Sequence, residues 1–247
     1  MRIPIVRGVI DRRILVNFRI DPAVLAPIVP GPFRPQLVAG YGMAGICLIR
    51  LRGLRPRWLP ACAGIGSENA AHRIAVEWEA QGVTRQGVYI PRRDSSSYWN
   101  ASAGGRLFPG VHYHSRFSVS ETADEFSVDV SNADGTHVAV EGQICRDLPG
   151  SSVFESLPQA SEFFNRGSIG YSATRHPGVL DGLELRTSKW EMVPLAIRRV
   201  ESSFFADQSV FPSGSVEFDC ALLMRNIAHE WHGLGNLVAS KSAPACC

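Results

Sequence analysis

Apolar and polar positions alternate at short range along most of this chain, and that spacing predicts strands far more often than helices. Residues 9–20 mix Val9, Ile10, Ile14, Val16 and Phe18 with charged neighbours and read as a strand. Asp21 then caps a short helix with Pro22 at its first position and Val24, Leu25, Ile28 and Val29 as its apolar side, before Pro30, Gly31 and Pro32 stop it. Residues 37–51 form a glycine-punctuated apolar run, expected to be a buried strand with a bulge at Gly42 or Gly45. Residues 52–69 contain Pro56 and Pro60 and predict a long loop. Over residues 73–80, Ile74, Val76 and Trp78 alternate with Arg73, Glu77 and Glu79, which predicts a strand; residues 85–90 predict the next, ending at Pro91.

Residues 111–119 give the clearest strand. Period two places His112, His114 and Arg116 on one face and Tyr113, Ser115, Phe117 and Val119 on the other. Residues 125–131 and 136–145 flank Asn132-Ala133-Asp134-Gly135, a hairpin signal. Residues 158–166 predict a helix closed by Gly167. Residues 189–205 favour strand, and residues 215–227 fit either strand or helix. No repeat and no linker marks a boundary. The expectation is one domain over residues 1–247, with its core over about 9–232 and a loose tail after 235. The fold expected is mainly β: a closed or half-closed antiparallel barrel with a few peripheral helices.

Composition narrows the function classes. With 247 residues, 45% hydrophobic and 19% charged, the chain can bury a sizeable core without a metal or disulfide. A net charge of +2 supplies no basic footprint for nucleic acid. Lysine occurs only at Lys189 and Lys241, so arginine carries nearly all the basic charge and amine nucleophiles are scarce. The six cysteines form no C-x-x-C pair. The first residues lack an apolar core long enough for a signal peptide, and no apolar run is long enough to span a membrane. A cytoplasmic protein with reduced thiols is the expectation.

Several motifs have both a structural and a chemical reading. His112 and His114 could face water, with the apolar face of their strand turned inward, or could line a cavity, since a ligand-holding barrel tolerates polar inward positions. Asp94 or Ser95 could cap a helix after Arg92-Arg93, or Arg93 and Arg106 could grip a carboxylate with their forked donors. Ser95, Ser96 and Ser97 sit in no nucleophile elbow. His229 and His232 would share a helical face at i and i+3, but no third ligand is near and the zincin spacing is absent, so no metal is expected. Gly64-Ile65-Gly66 lacks the third glycine of a dinucleotide loop, and no cofactor is expected.

Three blocks carry a family resemblance: Val16-Asn17-Phe18-Arg19-Ile20-Asp21-Pro22-Ala23-Val24-Leu25 with Ile28-Val29-Pro30; Gly87-Val88-Tyr89-Ile90-Pro91-Arg92-Arg93-Asp94 running on to Gly104-Gly105-Arg106 and Val111-His112-Tyr113-His114; and Phe218-Asp219-Cys220-Ala221-Leu222-Leu223-Met224-Arg225. The first is similar to the opening of acetoacetate-decarboxylase-like proteins. The other two resemble the YqjF-like family of bacterial proteins of unknown function, within the same superfamily. The resemblance implies a cone-shaped antiparallel barrel around a small-molecule cavity. Decarboxylases of this kind use a Schiff-base lysine whose pKa a second lysine lowers. Those positions fall here at Tyr113 and His114, or at His112 with a one-residue slip, so the known decarboxylase chemistry is not expected. Glu68 falls where relatives carry a cavity glutamate, whereas a second such glutamate has no counterpart in Gly45-Ile46-Cys47-Leu48.

Two functions remain open. One is an acid–base enzyme without a Schiff-base lysine, using Glu68, His112 and His114 on a small oxygenated or acidic molecule, with Arg93 or Arg106 as anion clamp. The other is a non-catalytic small-molecule binder using the same cavity, with Tyr98 and Trp99 as apolar walls and Asp94 and Tyr113 completing the binding set. The expected partner is a small-molecule ligand, with no nucleic acid and no membrane, and a homo-oligomer is left open.

Overall fold

The computed structural model describes residues 4–98 and 110–239. Among them the chain forms β1 (Val6–Ile20), α1 (Pro22–Leu25), β2 (Arg34–Pro35), β3 (Leu37–Val38), β4 (Tyr41–Pro56), a 3-10 turn (Ala61–Ala63), β5 (Ile65–Ala80), β6 (Val83–Ser95), β7 (His112–His114), β8 (Arg116–Glu121), β9 (Glu125–Ser131) and β10 (His137–Ile144). After these come α2 (Leu157–Arg166), β11 (Ile169–Ala173), β12 (Val179–Thr187), β13 (Val193–Ser202), β14 (Val216–Gly233) and β15 (Leu237–Val238). No helix among the described residues is long and apolar enough to cross a membrane.

Hydrogen-bonded pairings run β14–β1–β4–β5–β6–β11–β12, and β12 pairs with β14 again through Leu183↔Gly233 to Thr187↔His229, closing a ring. The ring is not wholly antiparallel. β6 runs parallel to both β11 and β7. β14 forks: beyond Leu223 its free edge belongs to β12, while Ala221 to Leu223 pair with β13, which leads to β10, β9 and β8. One end of the long strands therefore encloses a barrel, and their other end carries an added antiparallel sheet.

Both faces of the shared strands are buried. Ile14, Val16, Phe18 and Ile20 of β1 join Ile46, Leu48, Ile74 and Val76 in a core with Phe126, Val128, Val138 and Val140 of the added sheet. Leu15, Met43, Cys47 and Leu222 face the other way and pack with Ala160 and Phe164 of α2. Strands covered on both sides lose the alternation of hydrophobic and polar positions that would separate their faces. α1 is capped by the Asp21 carboxylate, which accepts from the Ala23 N–H. α2 is capped by Ser156 and ends at Gly167.

Some elements differ from the sequence expectation. Residues 52–69 are mostly strand, because β4 continues to Pro56 and β5 starts at Ile65. The bulge expected at Gly42 or Gly45 lies instead at residues 52–53, where Leu51↔Ser67 jumps to Leu54↔Ile65 and Gly53 takes φ +59°. At Gly45 the requirement is closeness: a Cβ there would stand 2.2 Å from the Val16 carbonyl oxygen. Pro91 lies within β6, not at its end, inside a bulge where Arg73 faces two residues, 90 and 91; a bulge spares the missing N–H. The strand expected over 111–119 breaks at Ser115, whose N–H bonds the Ser95 carbonyl. His229 and His232 lie on strand β14, not on a helix, and their odd separation sends them to opposite faces.

Candidate functional site

Inside the barrel lies a cavity of about 120 Å³, room for a small molecule or several waters. Its apolar wall includes Ile49, Leu51, Leu54, Val88, Ile90, Leu183, Leu185 and Trp231. Its polar lining holds Arg13, Arg73, Arg93, Asn69, Asp94, His112 and Cys47.

Bulges decide which arginines point in. In β1 the pairing with β4 slips between Ile10 and Arg12, and at the same level Asn226 of β14 takes φ +53°. Ile10 and Arg13, an odd distance apart, consequently share the inner side, and Arg12 turns away. The bulge around Pro91 does the same in β6. Val88 and Ile90 face in, and after the extra residue Arg93 does, while Arg92 turns out to hold Asp134 at 2.7 Å.

Each inward arginine has neutral company. The Arg93 Nε donates to Ser172 Oγ at 2.8 Å. Arg73 donates to Asn17 Oδ1 and lies 4.9 Å over the Phe164 ring; Gly45, the β4 residue paired with both Asn17 and Arg73, has no side chain to block that reach. The Arg73 Nε is buried without a hydrogen-bond partner. Arg13 donates to Cys47 Sγ at 3.4 Å and stacks on Trp190. Burial pushes both Arg73 and Arg93 down to about 10, because a desolvated guanidinium holds its proton less tightly. Among the described residues, no ion pair joins any of the three to a carboxylate. Asp94, the acid on the cavity wall, is committed to Arg92 at 2.9 Å and to Ser115 Oγ at 2.7 Å.

The expected site residues separate into groups. Arg93, Asp94 and His112 reach the cavity together, with Arg93↔His112 paired between β6 and β7. Glu68 does not line it. On β5 it alternates with the inward Asn69, Ala71 and Arg73, and it is held by Arg50 and by Arg12 at 2.6 Å. Glu121 of β8 bonds the same two arginines, so this acid ties the barrel wall to the added sheet. His114 is exposed and stacked 3.6 Å from the Tyr98 ring, and Tyr98 is 70% exposed, so it forms no cavity wall. His112 and His114 both belong to β7, and of the two it is His112 that lines the cavity. Tyr113 is exposed under the Arg92 guanidinium. Asp94 is not a helix cap, whereas Ser95 Oγ does accept from the Ser97 N–H. Arg106 and Trp99 lie outside the described residues. Arg13, Cys47 and Arg73 escaped the sequence reading. Their signal was a polar residue inside an apolar strand, as with Arg13 before Ile14 and Leu15.

The model of DUF2071, a family of uncharacterized conserved proteins, matches residues 10–218. The chain belongs to the DUF2071 family. No curated protein matches this DUF2071 member. Among solved structures, acetoacetate decarboxylase from Legionella pneumophila superposes with a TM-score of 0.64 at 9% identity, over 97% of this chain and 89% of that one. An acetoacetate decarboxylase-like enzyme from Sphingomonas wittichii RW1 gives 0.59 at 14% identity, over 98% and 95%. The enduracididine biosynthesis enzyme MppR, complexed with pyruvate, gives 0.60 at 11% identity, over 98% and 93%. At these identities the likeness establishes the fold, acetoacetate-decarboxylase-like, and the function has to be argued from the site.

Proposed function

We propose that this DUF2071 protein binds a small organic anion, a short carboxylic or oxo acid, inside its barrel. One observation carries the reading: Arg13, Arg73 and Arg93 line one largely apolar cavity with no carboxylate paired to them among the described residues. A buried cation without a counter-ion is unfavourable, and an anionic ligand supplies the missing partner. Apolar walls suit the carbon chain of such an acid. The MppR structure, with pyruvate bound, shows that a protein of this fold can hold a small oxo acid. We assign the protein to the cytoplasm, with its ligand bound without a lysine Schiff base: the described lysine, Lys189, is exposed and paired with Glu191 at 2.6 Å.

His112 favours a second reading, acid–base catalysis on the bound acid. Of the trio Glu68, His112 and His114, it is the member on the cavity wall, so proton transfer would fall to it with Arg93 as clamp.

Titration calorimetry with acetate, pyruvate and acetoacetate, against neutral acetamide, tests binding. The anions should bind and acetamide should not, and Arg73→Met should weaken binding at least about tenfold, the loss of one charge-assisted contact. Equal binding of acetamide, or no binding of any anion, overturns the reading. Product analysis on His112→Ala separates the two functions. Turnover lost with binding retained supports catalysis, and the absence of turnover in the unaltered protein supports the binder.

A further inference from the structure

Cys47 lines the cavity that also holds Arg13, Arg73 and Arg93. Strand register places Leu15, Cys47, Ala71, Arg93 and His112 on one continuous rung across β1, β4, β5, β6 and β7. Between Cys47 and Arg93 that rung carries only the methyl of Ala71. Arg13 donates to the sulfur at 3.4 Å. Arg73 and Arg93 line the same cavity as the Cys47 side chain. Three guanidiniums from three strands thus share a cavity with one thiol, and none has a carboxylate partner among the described residues. The Arg73 Nε, on a residue 5% exposed, has no hydrogen-bond partner and independently marks the same space as short of an acceptor.

The other described thiols have different surroundings. Cys220 is fully buried beside Asp219, and its thiol is pushed up by that burial. Cys145 contacts the Asp147 carbonyl, and Cys62 is exposed. A cysteine sulfur is a nucleophile, and cations concentrate anions at the point where they gather.

We propose that Cys47 is a covalent acceptor for short anionic electrophiles, with the cavity's arginines holding the carboxylate and the sulfur attacking the electrophilic carbon of the same molecule. For a 2-enoic acid the S–C bond forms at the β-carbon, the C=C π bond breaks, and the thiol proton ends on the α-carbon. Nothing is oxidised or reduced. The inference rests on the anion reading above but makes a separate demand, that sulfur and anion meet.

Competitive alkylation of the folded full chain tests it, using iodoacetate and iodoacetamide as the anionic and neutral probes and peptide mass spectrometry as the readout. With iodoacetate the S–C bond replaces C–I, iodide leaves, and the thiol proton goes to solvent. The ratio of iodoacetate to iodoacetamide labelling at Cys47 should exceed that at exposed Cys62 by about tenfold or more, the lower end of what a focused field provides. Cys47→Ser should abolish this label and leave that on Cys62. Arg93→Met should bring the Cys47 ratio toward the Cys62 value, and pyruvate should protect Cys47 in the unaltered protein, a readout that needs no variant. If Cys47 stays unlabelled, or shows the Cys62 ratio, while acetate and pyruvate still bind by calorimetry, the covalent proposal falls alone. If the anions also fail to bind, the anion reading falls with it.

Discussion

Replacing Arg93 by Met tests whether the cavity holds its charge at the expense of stability. The Arg93 guanidinium is lowered by burial to about 10. At ~1.4 kcal/mol per tenfold in proton affinity this is about 3 kcal/mol of disfavoured charge. The sign follows from a base whose folded-state pKa is depressed: below about 10 the side chain is charged both folded and unfolded, and the folded state carries the whole cost. Part of the side chain stays accessible to the cavity, which screens some of this. Methionine also forfeits the bond to Ser172, worth about 1.5–3 kcal/mol for a charged donor. The net expectation for the ligand-free protein is a gain of up to about 1 kcal/mol, or a rise of up to ~2–4 °C in melting temperature for a chain of this size. Urea and thermal unfolding in buffer without small carboxylates measure it. Adding a binding carboxylate should invert the order, since a ligand stabilises only the state it binds, by about 2.7 kcal/mol at a hundredfold excess over Kd. A variant less stable than the parent by more than ~1 kcal/mol without ligand, the size of a lost packing contact, would show that Arg93 is a structural strut and refute the reasoning.

Further tests address the frame around the cavity. Glu68→Gln leaves Arg12, 2% exposed, with Glu121 as its remaining carboxylate, and chemical denaturation should register a loss of about 2–4 kcal/mol. Burial works to raise the Glu121 carboxyl, but its bonds and proximity to Arg12 and Arg50 outweigh this and hold it below its ordinary value of 4.5. Its stabilising contribution should be whole above that value and lost as pH falls through the lower folded one, so acid-side melting curves should flatten in Glu121→Gln. Gly45→Ala, whose new methyl would stand 2.2 Å from the Val16 carbonyl, should prevent folding or cost more than ~3 kcal/mol by circular dichroism.

The sequence is legible where one face of an element is wet. The β9–β10 hairpin and the capped α1 and α2 follow from their local patterns, and β1, although buried on both faces, shows through its charged residues. β4 and β5 were half lost to an expected loop, because Pro56, Pro60 and several glycines look like punctuation when the strand pairing cannot be seen. β11 and β12 give no local signal that sets them apart, and β14 is apolar on both sides over Ala221 to Met224, which fits helix as well as strand. For the site, His112 and Arg93 could be named, and Arg13, Arg73 and Cys47 could not. Period-two reasoning assigns faces correctly only between bulges, and the register slips at residues 10–12 and 72–74 lie between the readable stretches and the cavity. Glu68 illustrates the converse. It fell at a position that is acidic in relatives, but its strand phase sends it to Arg12 and Arg50.

The bulge at Ile90 and Pro91 has a consequence for how such a cavity could change over generations. Because one extra residue there turns Arg93 inward and Arg92 outward, inserting a single codon between the bulge and Arg92 would exchange the two without altering either. The barrel would then present to its ligand the arginine that now grips Asp134, and that acid would lose its partner, while Asp94, two residues on in the same strand, would turn with Arg92. Selectivity in this fold is therefore open to revision by small insertions and deletions in strands, where ordinary substitution would have to replace several buried residues at once.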